Sequence, residues 1–266
     1  MWIDCFLFNG DWIAKPRMAF LDQYVDMFYV VEGRYTHSGV KKDQLFIDLH
    51  ADWFKPYAHK IKFIINEKPP QDSWTDENYH RDFVISHLPK EEEYILAVTD
   101  CDEIYDPRTL PLREELRQIL KTTIVYPYME SHCYRFSLVH EGEGWMNPFL
   151  IGSSMVRSMQ PSFSEIRVYK KIRSTPFTLK SYPSGWHLSY FLSVKEIQRK
   201  LQSFAHTELN LPHLTDLETI RRRLQAGEDV LGRNKKLTVV DLTSPSLNYP
   251  FIFKFYAREL QEIQSA

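Results

Sequence analysis

Four short apolar runs, Ile3–Phe8, Met27–Val31, Ile61–Ile65 and Tyr94–Val98, recur in the amino-terminal part of the chain, with helix-patterned stretches between them. Strands separated by crossover helices return in the same direction, so this alternation predicts an α/β fold: βαβ units around a mostly parallel central sheet flanked by helices. Ala14, Met18, Leu21 and Val25 fall at helical spacing, as do Tyr79, Phe83 and Leu88 behind the acidic pair Asp76 and Glu77. Thr109 followed by Pro111 marks a further helix start, with Leu112, Leu116, Ile119 and Leu120 as its buried face.

Beyond Ile124 the pattern breaks into short extended candidates at Ile124–Tyr128, Cys133–Val139 and Phe149–Val156, which predicts an antiparallel or irregular extension. Amphipathic helices are expected through Val194, Ile197, Leu201 and Phe204 and through Leu217, Ile220 and Leu224, with Asn248–Ala266 as a closing segment. No internal repeat, low-complexity stretch or Gly/Ser linker divides the chain, so residues 1–266 are expected to form one domain.

A formal charge of -2 gives no global field for a polyanion, and nucleic acid is not an expected partner. Three cysteines without CxxC spacing indicate neither a disulfide framework nor a structural zinc site and fit a reducing compartment. No apolar run reaches the length of a membrane span, and the start MWIDCFLFNGDW lacks the pattern of a signal peptide.

In YILAVTDCDEIYDP an apolar run leads directly into Asp100, so two carboxylates, Asp100 and Asp102, emerge where a buried strand ends. Ligands of α/β sheets bind at that end of the strands. Two carboxylates one residue apart can converge on a hard cation, Mn²⁺ or Mg²⁺, whose shell substrate phosphates then complete. The plainer alternative is an acidic cluster that caps the next helix. A haloacid-dehalogenase-like phosphotransferase would use the same pattern with Asp100 as nucleophile, but it carries the motif near the chain start, whereas three candidate strands precede it here.

The segments DCFLFNG, VDMFYVVEGRYTHSGVKK, HKIKFI, WTDENYHR, VTDCDEI, GWHLSYF and KLQSFAHTELN, in this order, resemble glycosyltransferase family 17 almost end to end. The resemblance implies a GT-A (Rossmann-like) fold and inverting, metal-dependent transfer of N-acetylglucosamine from UDP-GlcNAc to a glycan acceptor. It also implies a donor and metal half at about 1–125 and an acceptor half at about 126–266. Animal members carry an amino-terminal membrane anchor; this chain opens almost on its first strand, so the expectation is a cytoplasmic enzyme of a microbe or virus. A non-catalytic nucleotide- or glycan-binding protein is the rival outside enzymes, and the intact acidic motif argues against it.

Carried onto the matching positions, the resemblance places Glu32, Thr36, Ser38, Gly39, Lys41, Arg81, Asp100 and Trp186 at the donor. Hydroxyls and an ammonium suit ribose or phosphate, and a guanidinium suits diphosphate oxygens. Glu32 is alternatively a loop cap, Arg81 a surface ion pair with Glu77, and Trp186 a core residue. His187 would complete the metal shell with Asp100 and Asp102, or else is a buried structural histidine. An inverting displacement needs a base for the acceptor hydroxyl, and Glu165, then Glu143 and Glu208, are the candidates.

Overall fold

The computed structural model describes residues 1–36, 39–69, 79–160, 162–169, 178–203, 207–233, 235–243 and 249–265. Four strands form a parallel block in the order β3 (Ile61–Asn66), β2 (Met27–Gly33), β1 (Trp2–Leu7), β4 (Ile95–Asp100). The α/β expectation holds. Alternation sorts their side chains onto two faces. Trp2, Phe6, Phe28, Val30, Ile95 and Ala97 enter one buried cluster, under the Ala14–Leu21 and Phe251–Ser265 helices. Ile3, Cys5, Tyr29, Val31, Leu96 and Val98 enter a second, with Val84, Met155 and Phe163. Both faces being covered explains why β1, β2 and β4 read as nearly continuous apolar runs, whereas β3 at the sheet edge leaves Phe63 exposed.

The second half extends the same sheet. The two-residue strand β5 (Glu103–Ile104) follows the acidic motif, and beyond it come β6 (Thr123–Cys133), β7 (Leu138–Trp145), β8 (Phe149–Gly152), β9 (Thr178–Ser189) and β10 (Leu237–Val239). β8 lies antiparallel to β4, β6 antiparallel to β7 and β8, and β9 parallel to β6 and antiparallel to β5. Several expected boundaries move. Cys133–Val139 spans the turn from β6 to β7, where Tyr134 takes φ 67°. Phe149–Val156 is half strand, because the chain turns into the Ser153–Met159 helix behind Gly152. Leu112 precedes the Arg113–Ile119 helix and is 82% exposed, while Leu116 and Leu120 are fully buried.

A third cluster, with Tyr134, Leu192, Ile197, Leu201, Ile220 and Val230, packs the Val194–Ser203 and Leu217–Ala226 helices against the β6–β9 end. Asp216 caps the latter helix by accepting from the Thr219 amide at 2.8 Å. No helix among the described residues is long and apolar enough to cross a membrane.

Candidate active site

β1, β2 and β4 end together, at Leu7, Gly33 and Asp100, and a cavity of about 700 Å³ opens beyond them. The donor candidates Thr36, Arg81 and Asp100 line it, as do the metal candidates Asp102 and His187 and the base candidate Glu208.

Arg17 fixes the turn that carries the acidic motif. Fully buried on the Ala14–Leu21 helix, it forms a two-pronged ion pair with Asp4 (2.6 and 2.9 Å) and donates to Thr99 Oγ1. Its Nη1 also donates to the carbonyls of Asp100 (3.2 Å) and Glu103 (2.7 Å). Backbone groups in a tight turn otherwise lack partners; the guanidinium satisfies these two carbonyls, and the Asp102 carbonyl accepts from the Leu188 amide at 2.7 Å.

Asp100 faces two guanidiniums. Arg81 Nη2 donates to both carboxylate oxygens (2.9 and 3.1 Å), and Arg167 Nη2 donates to Oδ2 at 2.9 Å. Burial alone would raise the Asp100 pKa, but Arg167 and Arg81 outweigh it and hold the carboxyl well below the usual range. Arg167 also forks onto Glu103 (2.9 and 2.9 Å), a buried carboxylate that accepts from Trp145 Nε1 at 2.6 Å and the Asp100 amide at 2.7 Å.

Asp102 points the other way. Its Oδ2 lies 3.4 Å from Lys200 Nζ and 4.0 Å from His187 Nε2, and Lys200 Nζ is 3.9 Å from Asp11 Oδ1. Burial pushes the Asp102 pKa up, against Lys200 and His187. Burial also holds the His187 imidazole below its ordinary value, which favours the neutral, ligating form at pH 7. For Lys200 burial would lower the pKa, and Asp11 and Asp102 reverse that.

His187 reaches the site through β9, where Glu103 pairs with His187 and Ile104 with Trp186. Gly185 permits the approach. It takes φ +126°, and a Cβ there would sit 2.6 Å from the Ile104 carbonyl oxygen. Trp145 covers the imidazole face, ring centroids 4.1 Å apart.

Asp100, Asp102 and His187 are neighbours but not a three-ligand set, because Asp100 is turned to Arg81 and Arg167. Among the described residues no group of three or more His, Cys, Asp or Glu is placed to hold an ion. A carboxylate and a neutral imidazole 4.0 Å apart on the cavity wall nevertheless suit Mn²⁺ or Mg²⁺, which commonly take few protein ligands and fill the shell with phosphate and water.

The remaining candidates scatter. Glu32 is buried and accepts from Lys42 Nζ (2.9 Å) and the amides of Phe46 and Ile47 (2.8 and 2.9 Å), the geometry of a loop cap. Lys42, not the exposed Lys41, lines the cavity. The Thr36 amide donates to the Val40 carbonyl at 2.8 Å and the Gly39 amide to the Thr36 carbonyl at 2.9 Å; Ser38 lies outside the described residues. Trp186 is 6% exposed and packs edge-on against Phe20 and Phe253, inside the core. Glu165 is exposed on the Phe163–Tyr169 helix and is not part of the cavity wall, and the Glu143 side chain lies outside what is described. Asp11, Glu103, Trp145, Arg167 and Lys200 join the site without having been read from the sequence.

Among solved structures, S. aureus TarS 1–349 matches at TM-score 0.43 and 9% identity, over 84% of this chain and 73% of that one. The same fragment in complex with UDP matches at 0.44 and 10%, over 85% and 72%. 4-Diphosphocytidyl-2C-methyl-D-erythritol synthase matches at 0.36 and 12%, over 68% and 87%. No curated protein matches the chain at a significant level. The sequence model of glycosyltransferase family 17 matches residues 3–235, nearly the whole length, and the chain belongs to that family.

Proposed function

We propose that this glycosyltransferase is an inverting, metal-dependent enzyme that transfers N-acetylglucosamine from UDP-GlcNAc to a glycan acceptor. The observation that carries the reading is the divided acidic motif at the strand ends. Asp100 orients two arginines toward the cavity, and Asp102 stands with His187 as a two-ligand set. The surroundings of Asp102 support the metal: Asp11 and Asp102 share the Lys200 ammonium at 3.9 and 3.4 Å. A bound divalent ion would offset the charge that develops on the leaving diphosphate.

The chain's own groups supply the rest. Arg81 and Arg167, planar and preorganised by Asp100 and Glu103, are placed to hold diphosphate oxygens through the displacement. Glu208 is the candidate base that lines the cavity and therefore moves ahead of Glu165 as acceptor of the proton from the acceptor hydroxyl. The donor half (about 1–125) and the acceptor half share one sheet, which supports a single catalytic unit. Three free thiols support a reducing, cytoplasmic setting.

Calorimetric titration with UDP, UDP-GlcNAc and GDP-mannose, each with Mn²⁺ and with chelator, tests the reading. Metal-dependent binding selective for uridine nucleotides is expected. Binding that ignores the ion would remove the metal, and indifference to all three nucleotides would remove the donor.

A further inference from the structure

We propose that Lys200 makes divalent-ion binding conditional on the nucleotide, by occupying the Asp102 carboxylate until a nucleoside diphosphate arrives. This rests on the reading of Asp102 and His187 as the ion's protein ligands. The oxygen an ion would need is Asp102 Oδ2, which His187 Nε2 faces at 4.0 Å and the Lys200 ammonium at 3.4 Å. Arg81 and Arg167 are turned to Asp100 and Glu103, so it is Lys200 that meets the ion at this oxygen.

An ion entering without a nucleotide brings two positive charges beside an ammonium in a partly desolvated pocket, with two protein ligands to hold it. The diphosphate changes both terms, since it supplies oxygen ligands and negative charge. Lys200 then has an alternative partner in place. Asp11 Oδ1 lies 3.9 Å from its Nζ, on the loop that follows β1. The lysine stem belongs to the Val194–Ser203 helix, whose buried Ile197 and Leu201 fix the helix, while the ammonium lies 5.5 Å over the Tyr190 ring. A short swing of the ammonium, without movement of the helix, is enough to exchange Asp102 for Asp11 and the diphosphate.

Binding linkage makes the effect measurable in both directions. Mn²⁺ binding, followed by the electron paramagnetic resonance signal of the free ion, is measured with and without UDP in the wild type and in Lys200→Met, Lys200→Gln, Lys200→Arg and Lys195→Met. Circular dichroism confirms that each variant is folded. In the wild type UDP is expected to strengthen Mn²⁺ binding strongly. The Met and Gln variants are expected to bind Mn²⁺ alone roughly tenfold more tightly than wild type, and to lose that factor from the UDP effect. Arginine keeps the charge and should keep the wild-type pattern. Lys195, exposed on the same helix, controls for net charge and should change nothing. Unchanged Mn²⁺ binding in both neutral variants at Lys200, or equal tightening in Lys195→Met, overturns the proposal. Absence of Mn²⁺ binding in every protein even with UDP overturns the metal site itself, and the proposal with it.

Discussion

Trp145 lies flat on His187, with planes 16° apart, and the edge of the same indole donates to Glu103. One side chain therefore braces both arms of the acidic site. It steadies the imidazole beside Asp102 and the carboxylate behind Arg167. The two roles separate by substitution. Trp145→Phe keeps an aromatic face and loses the donor, so it should cost about 1.5 kcal/mol of stability, as expected for a bond to a charged group, and leave Mn²⁺-dependent UDP binding within about threefold. Trp145→Ala loses the face as well, and UDP affinity should fall about tenfold further. Equal affinities for the two variants, by calorimetry, would show that the stack does not position His187.

Arg81 and Arg167 both contact Asp100, but only Arg167 also holds Glu103. Arg81→Lys should weaken UDP binding about tenfold with a small change in melting temperature, because an ammonium cannot reproduce a planar fork. Arg167→Lys should do both, weakening UDP and lowering stability, since it leaves the buried Glu103 with poorer pairing. Unchanged UDP affinity in Arg81→Lys would take that residue out of the donor site.

In the parallel block β1, β2 and β4 were legible because they are buried on both faces and their runs carry the signal alone. β9 was not legible. Its sequence TLKSYPSGWHLS contains Pro183 and Gly185, and it is a strand because β6 and β5 pair with it. The acidic motif could be read as a site but not as a divided one, because its division depends on arginines distant in sequence. Arg167 stands on a short helix whose charges look like an ordinary wet face. Lys200 carried a usable signal, since it opens the family-like segment KLQSFAHTELN, yet the charge pattern of its helix reads as surface. Glu32 could be read two ways. A carboxylate at a strand end suits a donor ligand or a loop cap, and it accepts from the Phe46 and Ile47 amides as a cap does.

Removing Arg17 tests how far the site depends on one buried ion pair. Arg17→Met leaves Asp4 as a buried carboxylate without its guanidinium and releases the carbonyls of the acidic turn, so stability should fall by about 3–5 kcal/mol. Asp4→Leu combined with Arg17→Met removes the stranded charge and should recover part of that loss by denaturant titration. Nucleotide binding should stay impaired in the double variant, because two apolar side chains in place of Asp4 and Arg17 offer the turn carbonyls no donor. Full recovery of UDP binding would mean that the turn holds itself.

Asp229, just beyond the Leu217–Ala226 helix, provides a pH test of stability. Its carboxylate accepts from Tyr134 Oη at 2.7 Å, from Arg233 Nε and Nη2 at 2.8 and 3.0 Å and from the Arg233 amide at 2.9 Å. Burial opposes ionisation, but these donors outweigh it and lower the Asp229 pKa. A folded value below the unfolded one means that the native state holds its proton less tightly. The stabilisation is therefore complete above the unfolded value, about 3.9, and disappears as pH falls through the folded value. Asp229→Asn should be less stable than wild type by about 2 kcal/mol at pH 7, and the gap should close progressively below about pH 4. Urea titrations of the two proteins across that range measure it. A gap that stays constant down to about pH 2.5 would mean that Asp229 acts through shape and hydrogen bonding alone, and that its charge adds nothing to the anchoring of Tyr134 and Arg233.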